Sequence, residues 1–246
     1  MELLRSEHIT KSYDSRTIIR DINVHLNEGE LVSLLGLSGS GKTTLFQAIS
    51  GLIRPDSGKV FLNGTDITGE PGHISYMLQK DLLLEHKKVI DNVSLPLVIR
   101  GISKDEARNQ AHPYFEQFGI AGTEFKYPSQ LSGGMRQRAA LLRTYLCNCS
   151  AVLLDEPFSA LDMITKGQMH TWYLEMMEKI QLSTFLITHD IEEAILLSDR
   201  IYIMTGTPGE VQHEIFIERP RQERKNFSLD SEFLLYKQKI LDILVR

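Results

Sequence analysis

Gly36-Leu37-Ser38-Gly39-Ser40-Gly41-Lys42-Thr43 follows the spacing G-x-x-x-x-G-K-[ST], with Thr44 directly after it. Glycines in such a loop let consecutive backbone N–H groups wrap phosphate oxygens, and a helix starting at Lys42 adds the partial positive charge of its N-terminus. Lys42 is expected to reach the β and γ phosphates. Thr43 offers a hydroxyl to Mg2+, a cation that keeps most of its waters and takes few protein ligands. The candidate phosphate contacts are thus Gly36, Ser38, Gly39, Ser40, Gly41, Lys42, Thr43 and Thr44. A second group follows the apolar run AVLL as Asp155-Glu156, with Pro157 ending the element. Asp155 is suited to hold Mg2+, directly or through water, and Glu156 to position or deprotonate an attacking water. His189 closes a third apolar run, STFLIT, and is the candidate for a contact to the γ-phosphate.

These groups act together only if one scaffold brings them to one edge. The runs ELVSLLG (30–36), KVFLNG (59–64), HISYML (73–78), AVLLD (151–155), STFLIT (183–188) and RIYIM (200–204) read as strands. Helices are expected from Lys42 to about Ser50, after Asp162 and after Asp190, where Asp190 and Glu193 have capping-box spacing. Continuous apolar strands alternating with helices predict an α/β fold with a mostly parallel sheet covered on both faces. Ligands bind such sheets at the carboxyl ends of the strands, where Lys42, Asp155, Glu156 and His189 would gather. INVHL at 22–26 alternates strictly and, with GKVFLNG, suggests antiparallel strands with one wet face. Between about Val89 and Leu146 the pattern is helical, with a Ser103/Glu106 capping box, and reads as an inserted helical subdomain. The charged stretch 218–227 reads as a surface connector. Beyond it Phe233, Leu234, Ile240, Leu241 and Leu244, with Leu229 near the start, predict a docked C-terminal helix. The expected division is therefore 1–217 for the main domain and 218–246 for connector and helix.

A net charge of −5 over 246 residues argues against a nucleic-acid binder held by phosphate contacts. At 42% hydrophobic residues the chain has material for a real core, which excludes intrinsic disorder. MELLRSEHIT carries charges where a signal peptide needs an apolar run, and no stretch approaches the ~18 uncharged apolar residues of a membrane span. Cys147 and Cys149 have no second Cys/His pair at zinc spacing and read as reduced thiols.

Leu131-Ser132-Gly133-Gly134-Met135-Arg136-Gln137-Arg138 is another capped, glycine-rich helix start, hence a plausible second phosphate site. LSGGMRQR at this place resembles the signature motif of ATP-binding cassette (ABC) ATPases. The resemblance covers nearly the whole chain and implies a P-loop NTPase-type sheet with an antiparallel β subdomain and an inserted helical subdomain. It also implies two cassettes paired head to tail as a homodimer. Each ATP then lies between one phosphate loop and the partner's Ser132, Gly133 and Gly134. By the same resemblance Tyr13 is the aromatic residue on which adenine stacks, and Gln79 touches Mg2+ or its water and links the site to the membrane partner. Ser159-Ala160-Leu161-Asp162 resembles the loop along the dimer interface, with Asp162 reaching across; an N-cap role for Asp162 is compatible with that.

MLQKDLLL, PFSALD, THDIEEAILLSDRIYIM and the Thr-Pro-Gly at 207–209 resemble the importers for nitrate, taurine, alkanesulfonates and the pyrimidine precursor of thiamine. This implies an ATP-hydrolysing subunit at the cytoplasmic face of the membrane, serving separate permease subunits and, indirectly, an extracellular solute-binding protein. Glu85-His86 departs from the Pro-Trp common in that branch, in a loop expected to face the permease. A soluble ABC ATPase of DNA maintenance or translation, and the motor of an exporter, are the alternatives. The first usually carries a coiled coil or a second cassette and a fused exporter carries spans, and neither feature is seen.

Overall fold

The computed structural model describes residues 1–246 apart from Gln181, Lys225, Arg246 and the side chain of Glu178. Strands β1 (Glu2–Tyr13), β2 (Arg16–Asn27) and β3 (Leu31–Gly36) lead into helix α1 (Lys42–Ile49). Strands β4 (Ser57–Leu62), β5 (Thr65–Asp66) and β6 (Ser75–Met77) follow. The helical segment contains α2 (Val89–Val93), α3 (Leu95–Ile99), α4 (Lys104–Ala111), α5 (Tyr114–Gln117) and α6 (Gly133–Tyr145). The chain ends with β7 (Ala151–Asp155), α7 (Met163–Ile180), β8 (Ser183–Thr188), α8 (Ile191–Leu197), β9 (Arg200–Thr205), β10 (Glu210–Phe216) and α9 (Ser231–Leu244).

Among the described residues the main sheet runs β10-β9-β3-β8-β7-β6, parallel except for the antiparallel β9-β10 edge. Its inner strands are apolar on both faces because both are covered. Val32 and Leu34 of β3, Leu153 of β7, and Phe185 and Ile187 of β8 join a core with α1 and the antiparallel sheet. Their alternate neighbours Leu154 and Leu186 pack with α2, α6 and α7. Phe46 of α1 meets Phe185 edge-to-face at 5.2 Å, fixing the helix that starts at Lys42 over the centre of the sheet.

The second sheet runs β2-β1-β4-β5. INVHL and KVFL are antiparallel strands, as their alternation predicts, but each pairs with β1, a strand that the mixed charges of MELLRSEHIT conceal. β10 is likewise an addition to the sequence reading. Two details correct it further. The side chains of Ser103 and Asp190 do cap α4 and α8, but the reciprocal halves of the capping boxes are absent among the described bonds: Glu106 accepts from Gln110, and Glu193 binds Lys166 and His170. α9 docks through Phe233 and Ile240, with Tyr236, Ile243 and Leu244 packed beside them, whereas Leu229, Leu234 and Leu241 are exposed. Phe227 selects this face by packing edge-to-face on both Phe233 and Tyr236.

A polar cluster centred on the buried Arg200 and Tyr202 joins the two sheets. Arg200 pairs with Glu30 at 2.6 Å and Glu214 at 2.8 Å and donates to the His25 ring, which also contacts the Tyr202 hydroxyl at 3.0 Å. Burial, then the charge of Arg200, lower the pKa of His25 below its ordinary 6.5. The folded chain therefore keeps His25 neutral where the unfolded chain begins to protonate it. The resulting stabilisation is complete above that ordinary value and is lost as pH falls through the lowered one. Thermal melts should show stability falling below about pH 6.5, with His25→Asn flattening that part of the profile; an identical slope in the variant would remove His25 as its cause.

Candidate functional site

The carboxyl ends of β6, β7, β8 and β3 lie side by side, and each delivers one part of the site. Beyond β3 the loop 36–41 turns through Gly39 and Gly41 at φ of 83° and 100°, where a side chain would be strained. A Cβ at Gly41 would also come within 2.5 Å of Ile19, so the loop is pressed against β2. Gly36 is equally constrained, since its Cβ would meet the Met204 carbonyl at 2.6 Å. Lys42 is buried, and its ammonium donates to the carbonyls of Gly36 and Leu37 at 2.9 and 2.8 Å. Burial lowers its pKa, opposed by the nearby carboxylates of Glu156 and Asp155. Charge in this place favours an anionic ligand that replaces the two carbonyls.

Asp155 ends β7, buried, and accepts from Thr43 Oγ1 at 3.0 Å and from the Tyr76 hydroxyl at 3.1 Å. Burial raises its pKa, while those two bonds and Lys42 pull it back. Tyr76 is pushed up strongly by burial and by Asp155, so it stays a donor. Sequence reading missed this tyrosine; its signal is its place three residues before Gln79 on the strand beside β7.

Glu156 is the centre of the site. Gln79 Nε2 donates to its Oε2 at 3.1 Å, and His189 Nδ1 lies 3.0 Å from its Oε1. Its backbone has φ 46°, a left-handed conformation that costs a side-chain-bearing residue of order 1–3 kcal/mol. That turn breaks the strand direction directly after Asp155. Glu156 is bonded through its backbone N–H to the Ile187 carbonyl at 3.0 Å. One cavity is lined by Ser38, Gly39, Gly41, Lys42, Thr43, Thr44, Gln79, Asp155, Glu156 and His189, with Ile18 as an apolar wall.

The remaining candidates lie elsewhere. Ser40 turns away from this cavity: its hydroxyl is buried, without a hydrogen-bond partner among the described residues, on the side of the loop facing Met204 and Thr205. Ser40 therefore offers the phosphate loop its backbone N–H and not its hydroxyl. Tyr13 stands exposed at the end of β1 with Lys11 5.5 Å above its ring. Ser132 caps α6 by accepting from Met135 N at 3.3 Å, and Gly133 and Gly134 open that helix. None of Tyr13, Ser132, Gly133 and Gly134 lines the Lys42 cavity. Asp162 caps α7, accepting from the backbone of Ile164 and Thr165, both at 3.1 Å, and from the Thr165 hydroxyl at 2.6 Å. Those bonds, the Thr165 hydroxyl first, hold its carboxyl below the usual range.

The donor set suits Mg2+. Thr43 and Asp155 present hard oxygens to one point, and no cluster of three His, Cys, Asp or Glu that could cage an ion exists among the described residues. A cation that completes its shell with substrate phosphates and water needs no more.

The ABC transporter family profile matches residues 19–159. The chain is 42% identical to the formylaminopyrimidine import ATP-binding protein of Halalkalibacterium halodurans over 97% of this chain and 98% of that protein. It is 36% identical to the nitrate import ATP-binding protein of Synechocystis sp. over 92% and 87%. Among solved structures it resembles a dimeric ATP-binding cassette in a post-hydrolysis state bound to ADP and Pi, with TM-score 0.76, 27% identity, and coverage of 89% and 100%.

Proposed function

Because the chain belongs to the ABC transporter family, as an importer-type ATP-binding subunit whose ATP hydrolysis is coupled to transport, we propose that it works as a head-to-tail homodimer on a separate integral-membrane permease. The observation that carries this reading is the separation of two half-sites within one chain. Lys42, Asp155, Glu156 and His189 share a cavity, while Ser132, Gly133 and Gly134 open a different helix outside it. A second copy in reverse orientation completes both, with Tyr13 under adenine and Asp162 at the dimer seam.

In this arrangement Lys42 leaves the Gly36 and Leu37 carbonyls for the β and γ phosphates, and backbone N–H groups of 38–44 surround them. Thr43 and Asp155, with Gln79 near its water, would hold Mg2+, which would supply charge neutralisation on those phosphates. Glu156 orients a water and accepts its proton at a carboxylate oxygen as the water attacks. His189 and Gln79 fix which oxygens of Glu156 are offered. The products are ADP and phosphate, and loss of the γ-phosphate removes the link that keeps the two copies closed. Residues 1–217 form the cassette in this reading, and 218–246 its connector and docked helix.

The cargo is a small anionic or thiamine-precursor-like solute, delivered by an extracellular binding protein. Support comes from the two relatives, which serve formylaminopyrimidine and nitrate import. The chain sits at the cytoplasmic face of the membrane as a peripheral subunit; among its described residues no helix is long and apolar enough to cross a membrane.

Tagging the protein in its native host, extracting membranes in mild detergent and identifying co-purifying proteins by mass spectrometry tests this. A multi-span permease in near-equal amount is expected, with a solute-binding protein alongside. Ribosomal or DNA-bound partners would overturn the transport partner and leave the ATPase.

A further inference from the structure

The loop that leaves Gln79 is gripped by α6. The Asp81 carboxylate receives Arg136 Nε and Nη2 at 2.9 and 3.2 Å, and the same Nη2 reaches Glu85 at 2.7 Å. Two helical turns further on, Arg143 donates to the carbonyls of Asp81 and Leu82, at 2.9 Å to the latter. Leu82 between these anchors has φ 45°, a strained conformation that persists because its surroundings dictate it. The far end of the loop is held by the buried Asn92, which accepts from Leu84 N at 2.6 Å and donates to the carbonyls of Leu84, Lys87 and Lys88. Gln137, next to Arg136, donates to the carbonyl of Pro157, one residue past Glu156. The first turns of α6 therefore hold both segments that carry the Gln79–Glu156 contact.

Arg136 lies only two residues after Gly134. In the head-to-tail dimer the start of α6 meets the partner's ATP, while Gln79 and Glu156 serve the chain's own. We propose that Arg136 is a positioning residue that couples the two nucleotide sites, transmitting the seating of Ser132–Gly134 on one ATP through Asp81 and Glu85 to Gln79 at the other. The fork geometry matters: a guanidinium offers two fixed N–H bonds to Asp81 and still reaches Glu85, which an ammonium on a flexible stem does not reproduce. Exposed ion pairs are individually weak, but Asp81 and Arg136 are each three-quarters buried and the pair is bidentate. Glu85 is the more exposed partner and the secondary anchor.

This inference rests on the dimer reading above, and one set of measurements separates the two. Steady-state hydrolysis by the full-length chain is measured against ATP concentration for the wild type, Arg136→Ala, Arg136→Lys and Asp81→Asn. Light scattering of the same variants in a Glu156→Gln background, with ATP, reports dimer formation. The wild type is expected to give a Hill coefficient above about 1.5, bounded by two sites, and both Arg136→Ala and Asp81→Asn a value near 1 with about a fivefold or greater loss of maximal rate. Arg136→Lys should fall between. Dimer formation and melting temperature should be retained, which a merely structural role would not predict together with lost cooperativity. Should Arg136→Ala fail to fold, the isosteric Asp81→Asn decides. A protein that dimerises with ATP yet shows the same Hill coefficient in wild type and both variants overturns the coupling role alone. A Glu156→Gln protein that stays monomeric with ATP overturns the dimer and the proposal with it.

Discussion

Glu156→Gln lowers steady-state ATP hydrolysis by about 10³-fold while ATP still binds and accumulates a closed dimer. The substitution preserves Cβ and therefore the strained φ of 46° at this position, so the backbone turn after Asp155 is not the variable. What changes is the set of acceptors. The carboxylate serves Gln79 with one oxygen and His189 with the other. An amide has a single acceptor oxygen, so one contact must break or His189 must change tautomer, and the basicity needed to take a proton from water is lost in either case. Phosphate release and light scattering measured on one sample check both halves. Near-normal turnover would remove Glu156 as the base.

Lys42→Ala weakens ATP binding by about 10- to 100-fold. Charge-assisted bonds from Lys42 to phosphate are worth about 1.5–3 kcal/mol, and each 1.4 kcal/mol is tenfold in affinity. The apo protein should tolerate the change well, because its ammonium is buried at a cost seen in its lowered pKa and bonds only loop carbonyls. Isothermal calorimetry reads the affinity and a thermal melt the fold. Unchanged affinity in a folded variant would count against the phosphate contact.

These residues were legible because their elements obey simple constraints. AVLLD and STFLIT end where β7 and β8 end, since strands buried on both faces need unbroken apolar runs and the first polar residue marks the exit from the sheet. β1 was not legible. Although β1 lies between β2 and β4, it has one wet face, and its pairing slips between Ser6 and Ile9, around His8 at φ 53°, so no period of two survives in the sequence. The exposed leucines of α9 differ for another reason: the docked face runs through Tyr236, whose ring packs on Phe227 while its hydroxyl accepts from Glu218 N. Tertiary partners decided that face, and they lie in a segment whose composition says only connector. The conformation of Glu156, the Tyr76–Asp155 bond and the grip of Arg136 on Asp81 all join residues distant in sequence, and no local pattern encodes them.

The place of β3 in its sheet bears on how the chain is made. Leu31–Gly36 pairs on one side with β8 and on the other with β9, whose residues begin at Ser183 and Arg200. At ribosomal speeds, roughly 10 to 30 s separate the emergence of this apolar strand from that of its neighbours. During that interval the nascent phosphate loop has its full sequence and no sheet to stand on, so it is a segment for chaperones to shield. A fragment ending before Ser183 would carry every residue of the loop and neither of the strands that hold it in place.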